Sequence, residues 1–175
     1  MFAARNAYRN IPYFISLISI IGITVLLINI PVGATPPSGC TNLDAVPPQF
    51  TISYQAAIQG LFNNFNGANG CTDCHEPAAG PTGGLDLTAG VSWSNLVNHL
   101  SAQDISWFRV VPNHPEESLL FQKINCDDPG VGQRMPYGFP ALTAEQQALI
   151  YDWIAGGAPF TTTDTIFRGG FETRG

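Results

Sequence analysis

The chain has 175 residues, a formal net charge of −6, and 11% charged against 45% hydrophobic residues. This composition is too apolar for an intrinsically disordered chain and too acidic for a protein that neutralises nucleic-acid phosphates. The 18 glycines and 14 prolines predict many loops and short regular elements.

Residues 1–34 have the pattern of an export signal. Arg5 and Arg9 precede an apolar run over residues 11–30, and Val32-Gly33-Ala34 offers the small residues that a signal peptidase recognises. We expect cleavage after Ala34 and a periplasmic or secreted mature protein with no direct membrane span. The alternative is an uncleaved anchor that tethers the protein to a membrane, because a run of about 20 residues can cross a bilayer.

Without its signal, the chain carries five basic and 13 acidic residues, a net charge of −8. An acidic surface disfavours nucleic acid and anionic lipid, and it favours encounter with a protein that has a basic docking surface.

After an N-terminal extension over residues 35–48, we expect a folded domain over residues 49–159. Its first helix is predicted over residues 50–65, where apolar side chains recur every three or four positions. Gly67 and Gly70 end this helix. Most of the apolar positions are interpreted as core that packs against the last helix, and the alternative is that the stripe forms a wall of the cofactor site. These positions are Phe50, Tyr54, Ala57, Ile58, Leu61, Phe62 and Phe65.

The sequence Cys71-Thr72-Asp73-Cys74-His75 is a C-x-x-C-H motif in an exported chain. Two thiols at this spacing can each add to one vinyl group of a haem, and the next residue is then placed to ligate the iron. The motif therefore predicts one covalently bound haem c, with thioethers from Cys71 and Cys74 and with His75 as the proximal ligand.

Three other interpretations of this motif stay open. A structural zinc site would need a fourth ligand, for which Cys126, His99 and His114 are the candidates. A thioredoxin-like redox pair would need a βαβ context. A disulfide between Cys71 and Cys74 would leave His75 without a role.

The loop after the motif is expected to supply a backbone carbonyl to the second nitrogen of His75, with Pro81 as the candidate. Two short helices are predicted next, over Ser92–His99 and Ser118–Lys123. No pair of strands is evident in the domain.

Met135 is the only methionine after Met1, and it is the best candidate for the distal iron ligand. Pro136 restricts Met135 to an extended conformation on a turn-rich loop, and a thioether is a soft ligand that favours ferrous iron. The alternative is that Met135 fills a gap in the core. Arg134 beside it is a candidate partner for a haem propionate.

The remaining cysteines, Cys40 and Cys126, have no metal-ligand spacing. In an oxidising compartment such a pair most simply forms a disulfide. Closing a loop of this length stabilises the fold by roughly 3–5 kcal/mol in the chain-entropy model.

The clearest helix is the last one. Thr143 and Gln146 form a capping box, Leu149, Ile150, Trp153 and Ile154 form the apolar face, and Gly156-Gly157 ends the helix.

The tail over residues 160–175 differs in composition. It resembles the Ile-Phe-x-x-Gly-Phe-Glu tails of some secreted Gram-negative proteins, which implies a sorting feature; the alternative is a frayed terminus.

Residues 49–159 resemble the class I cytochromes c, in particular their single-haem bacterial periplasmic members. The resemblance rests on five stretches in order: Leu61-Phe62 through the C-x-x-C-H motif, Gly84-Leu85-Asp86-Leu87, Pro112-x-x-Pro115-x-x-Ser118-Leu119-Leu120, Arg134-Met135-Pro136, and Leu142 to Ala158. It implies a small all-α fold of about four short helices and long loops around one haem, with His75 and Met135 as axial ligands. The Cys40–Cys126 pair departs from the family pattern.

Together these features predict one-electron transfer between redox partner proteins rather than an enzyme. The alternative is a haem enzyme, peroxidase-like or oxidising a small molecule, in which the distal position is open. A third hypothesis is a non-redox surface module.

Overall fold

The structure is a computed structural model that describes residues 17–20, 23–26, 37–78 and 82–161. The chain divides into two units, one that ends at Ser38 and one that begins at Gly39. Most of the predicted signal over residues 1–34 and of the predicted sorting tail over residues 160–175 lies outside the described residues.

The apolar run over residues 11–30 contains two short strands that its sequence pattern did not predict. Strand β1, Leu17–Ile20, pairs antiparallel with β2, Ile23–Leu26. Leu17 stands opposite Leu26, and Ile20 stands opposite Ile23. β-Branched residues favour extended backbone, and this run is rich in them. Across the described residues, every helix is too short or too polar to cross a membrane.

The second unit is all-α, as predicted, and long loops join its short helices. The strand-like pairings in its described part are three isolated bridges: Cys40–Cys126, Val97–Val110 and Leu100–Phe108. The α-helices are α1, Gln59–Asn63; α2, Ser92–Leu96; α3, Leu119–Asn125; and α4, Ala144–Ala155. Shorter turns of π- or 3-10 helix lie at Tyr54–Ile58, Cys71–Asp73, Thr82–Gly84 and Pro115–Glu117.

The first helix is shorter than the predicted range of 50–65. Ser53 begins it, because its side chain accepts the N–H of Ala56 at 3.3 Å. The π-helical turn then continues into α1, which ends at Asn63 because the Asn64 side chain accepts the N–H of Gly67 at 2.6 Å. Phe50 precedes the helix and is 83% exposed, so its assignment to the core was wrong.

The two middle helices are shifted from their predicted bounds. Helix α2 stops at Leu96 rather than His99, because Val97 turns to pair with Val110 and Asn98 has a positive φ of 55°. Helix α3 begins at Leu119, and the hydroxyl of Ser118 donates to the carbonyl of His114 at 2.8 Å.

The capping box predicted for the last helix is confirmed. Thr143 Oγ1 accepts the N–H of Gln146 at 3.3 Å, and Gln146 Oε1 accepts the N–H of Thr143 at 3.0 Å. Helix α4 then runs to Ala155, and the turn at Gly156-Gly157 follows, with Gly157 at a φ of +93°.

The core lies between the first helical segment and α4. Tyr54 and Trp153 are buried with ring centroids 5.3 Å apart, a contact worth about 0.5–1.5 kcal/mol beyond burial. Ile58, Phe62 and Ile154 extend the same cluster. The predicted packing of the first helix against the last is therefore present. It holds α1, which leads into the 71–75 segment, against α4.

Candidate functional site

The C-x-x-C-H segment folds as one compact turn after α1. The N–H of His75 donates to the carbonyl of Cys71 at 3.0 Å, and Asp73 Oδ2 accepts the N–H of Gly70 at 2.9 Å. Cys71 is half-buried, Cys74 is exposed, and both are free thiols. Burial raises the pKa of the Cys71 thiol to about 11. The turn brings both sulfurs and the imidazole to one local surface.

His75 is oriented by the segment that follows it. Its Nδ1 lies 3.3 Å from the carbonyl oxygen of Leu85, and the N–H of Leu87 donates to the His75 carbonyl at 2.8 Å. A carbonyl only accepts, so Nδ1 carries the proton in this contact and Nε2 keeps its lone pair. Burial lowers the pKa of His75, which favours the neutral ring. Pro81, the predicted acceptor, lies outside the described residues, and Leu85 supplies the carbonyl.

A cavity of about 620 Å³ lies beside this segment, within the usual range of cofactor sites. Cys71, Cys74, His75 and Met135 all line it. Most of the other lining is apolar, including Phe62, Leu87, Leu96, Ile124 and Ile150. The structure thus brings together every residue that the sequence singled out for haem attachment and iron ligation.

Met135 reaches the cavity from a loop that is tied to α3. Its backbone N–H donates to the carbonyl of Lys123 at 2.7 Å. The ammonium of Lys123 in turn donates to the carbonyl of Val131 at 2.8 Å, earlier in the same loop. Met135 is half-buried and packs against the edge of the core.

Two cationic residues of the cavity wall were missed from the sequence. Arg109 is 7% exposed, and its guanidinium donates to the carbonyls of Asn95 at 2.7 Å and Gly84 at 2.8 Å. Lys123 lines the cavity as well, and burial lowers the pKa of both side chains. Two sequence features could have indicated these residues. Arg109 lies in an apolar run, and Lys123 lies on the same helix face as Leu119 and Leu120.

Arg134, the predicted propionate partner, has other partners in the structure. It forms an ion pair with Asp127, and it is absent from the cavity lining. The propionate role of Arg134 therefore stays a prediction, and the partners that the structure gives this guanidinium belong to the protein itself.

The described residues give no support to a zinc site around the motif. In ranges 37–78 and 82–161, no three His, Cys, Asp or Glu side chains gather as a metal-binding group. His99 and His114 are exposed. Cys126 is bonded to Cys40, so the predicted disulfide is confirmed.

The fold and the cavity define an all-α protein whose free thiols, imidazole and thioether share one apolar pocket. A family described as Planctomycete cytochrome C matches residues 71–136. The match runs from the first cysteine of the motif to just past Met135, and it covers less than half of the chain. It supports a c-type cytochrome and electron transfer. No curated protein and no solved structure matches the chain.

Proposed function

We propose that this protein is an exported, single-haem cytochrome of the class I kind that carries one electron at a time. Cys71 and Cys74 attach the haem as thioethers, His75 is the proximal iron ligand, and Met135 is the distal ligand. The observation that carries the proposal is that these four residues line one cavity although Met135 lies far along the chain from the motif.

The chemistry of the cavity fits a haem. Its volume and apolar lining suit a large flat macrocycle. Cys71 and Cys74 each have a thiol whose S–H can add across one vinyl group. Arg109 and Lys123 bring positive charge to a mostly apolar wall, which suits the two carboxylates of the group.

Backbone carbonyls of the protein orient the two proposed iron ligands, His75 and Met135. The Leu85 carbonyl holds the proton of His75 on Nδ1 and thereby leaves Nε2 to coordinate. The Lys123 carbonyl holds the backbone of Met135. A haem bound in this site supplies a reversible one-electron iron couple, and a thioether ligand favours its ferrous state.

The proposed location and partner follow from the sequence. The leader and the disulfide suit a periplasmic or secreted protein, or one tethered by residues 11–30. The net charge of −8 after the signal suits a redox partner with a basic docking surface, because opposite charge steers encounter.

The test is expression in a host with haem-attachment machinery, followed by mass spectrometry and optical spectroscopy. We expect the mass of one haem on the mature chain, a mature N-terminus at residue 35, and an iron–sulfur charge-transfer band in the ferric protein. Met135→Leu should remove the band while keeping the apolar volume, and His99→Ala should leave it intact.

Two results would contradict the proposal. A colourless product from a competent host would show that no haem is attached. A haem protein without the band that binds carbon monoxide freely would instead support the haem enzyme with an open distal position.

A further inference from the structure

We infer that Arg134 is a positioning residue that sets the place of Met135 by tying the distal loop, residues 127–135, to α3. This inference rests on the proposed function, in which Met135 ligates the iron. It gives Arg134 a role in ligand binding without contact with the haem.

The guanidinium of Arg134 joins three parts of the chain. Nη1 donates to Asp127, at the start of the distal loop. Nη2 donates to the carbonyl of Ile124 in α3 and to the hydroxyl of Thr41 in the N-terminal segment, each at 3.3 Å. Only 23% of the Arg134 side chain is exposed, whereas that of Asp127 is 74% exposed. The ion pair alone therefore contributes little, and the effect comes from bridging all three acceptors.

The acceptors lie where α3 ends. The last carbonyls of a helix lack partners within the helix. At the end of α3, the carbonyl of Lys123 accepts the N–H of Met135, that of Ile124 accepts the Arg134 guanidinium, and that of Asn125 accepts the N–H of Thr41. Consecutive loop residues thus bind consecutive carbonyls of α3. Any movement of Arg134 acts directly on Met135, which is the next residue.

The disulfide makes this end of α3 a fixed support. Cys126 is bonded to Cys40, and the N–H of Asp127 donates to the carbonyl of Gly39 at 2.8 Å. These links hold Thr41 and Asp127 close to Ile124. A planar guanidinium can reach all three acceptors at once, whereas the compact ammonium of lysine cannot do so from the same position.

Loss of the bridge should lower the local concentration of the Met135 thioether at the iron. A small ligand that competes for the distal position then binds more tightly. For Arg134→Gln we expect imidazole affinity for the ferric holoprotein to rise about tenfold, which corresponds to about 1.4 kcal/mol. Arg134→Lys should give a smaller rise.

The experiment compares the holoprotein with these two variants and with Asp127→Asn. Glu117→Gln is the matched control, since it removes one exposed carboxylate away from the loop. The readouts are the imidazole titration, the iron–sulfur band, and hydrogen exchange of the Met135 amide. We expect clearly faster exchange at Met135 in Arg134→Gln, at most a small increase in Asp127→Asn, which keeps an Oδ1 acceptor, and no change in Glu117→Gln.

The outcomes separate this inference from the proposed function. Absence of the band in the unaltered protein would reject Met135 ligation itself. The positioning role alone would be overturned if the unaltered protein shows the band and Arg134→Gln has the same imidazole affinity and the same Met135 amide exchange as the unaltered protein. If Arg134→Gln does not fold, Thr41→Val removes one acceptor, and unchanged imidazole affinity there would be equally decisive.

Discussion

Gly70 lies so close to the end of α1 that a Cβ atom on it would be 2.2 Å from the carbonyl oxygen of Asn63. The opposing atoms belong to the backbone, so no side-chain rotation can relieve the contact. The N–H of Gly70 is also held by Asp73. This glycine therefore sets the distance between α1 and Cys71.

We predict that Gly70→Ala lowers the free energy of unfolding by about 1–3 kcal/mol, because the 71–75 turn must move away from α1. Gly60→Ala is the matched control: this glycine lies inside α1 with nothing within 4 Å of an added Cβ, and alanine should be neutral or up to about 1 kcal/mol stabilising there. Urea unfolding of both variants measures the difference. Equal effects of the two substitutions would contradict the close-packing argument.

Arg109→Gln should lower the free energy of unfolding by about 2–3 kcal/mol. The substitution removes two charge-assisted hydrogen bonds, to the carbonyl of the half-buried Asn95 and to that of the exposed Gly84. Arg109→Lys should recover only part of the loss, because one ammonium cannot replace a planar guanidinium that bridges α2 and the Thr82–Gly84 turn. Thermal unfolding of the three proteins is the measurement, and full recovery by lysine would show that charge alone matters.

Tyr54 gives a prediction at alkaline pH. Its side chain is buried and its hydroxyl donates to Ser92 Oγ at 2.7 Å. Burial raises its pKa from 10.0 to about 12, so the folded protein resists forming the phenolate. The stabilising contribution is complete below pH 10, where both states are protonated. It is lost as the pH rises from 10 towards 12, where the unfolded chain releases the proton first.

Tyr54→Phe should therefore show a shallower fall of unfolding free energy between pH 10 and 12 than the unaltered protein. At neutral pH the variant should be about 1 kcal/mol less stable, since it lacks the hydrogen bond to Ser92. Urea titrations at several pH values measure both effects. Parallel pH profiles would show that Tyr54 does not control the alkaline loss.

The disulfide gives a prediction about reduction. Cys40 and Cys126 are 86 residues apart, and removing both thiols by alanine substitution should cost about 3–5 kcal/mol of unfolding free energy. A dithiol reductant should shift the urea midpoint of the unaltered protein towards that of the double variant and leave the variant itself unchanged. No shift of the unaltered protein on full reduction would contradict this expectation.

Features that depend on near neighbours were predicted well. The Thr143–Gln146 capping box is formed by residues three apart, so sequence alone suffices. The first helix shows the limit, because apolar periodicity includes Phe50 but does not detect that Ser53 begins the helix. Apolar periodicity therefore indicates that a helix is present more reliably than it indicates the residue at which the helix begins.

Roles that depend on distant partners were not predictable. Arg134 was named as a candidate propionate partner because it lies beside Met135, whereas its partner Thr41 is 93 residues away and is held there by the disulfide. Arg109 donates to the carbonyl of Gly84, which lies 25 residues earlier. The sequence spacing of these two residues does not indicate the contact. Such contacts depend on tertiary packing.

The Cys40–Cys126 bond closes residues 40–126 into a covalent ring that contains Cys71, Cys74 and His75, whereas Met135 lies on the C-terminal arm outside the ring. A protease that cuts once inside the ring leaves two pieces that migrate together on a non-reducing gel and separate only after reduction. A cut between Cys126 and Met135 releases the arm at once. Limited digestion, run with and without reductant, therefore reports whether the cut lies inside the ring or between the ring and Met135.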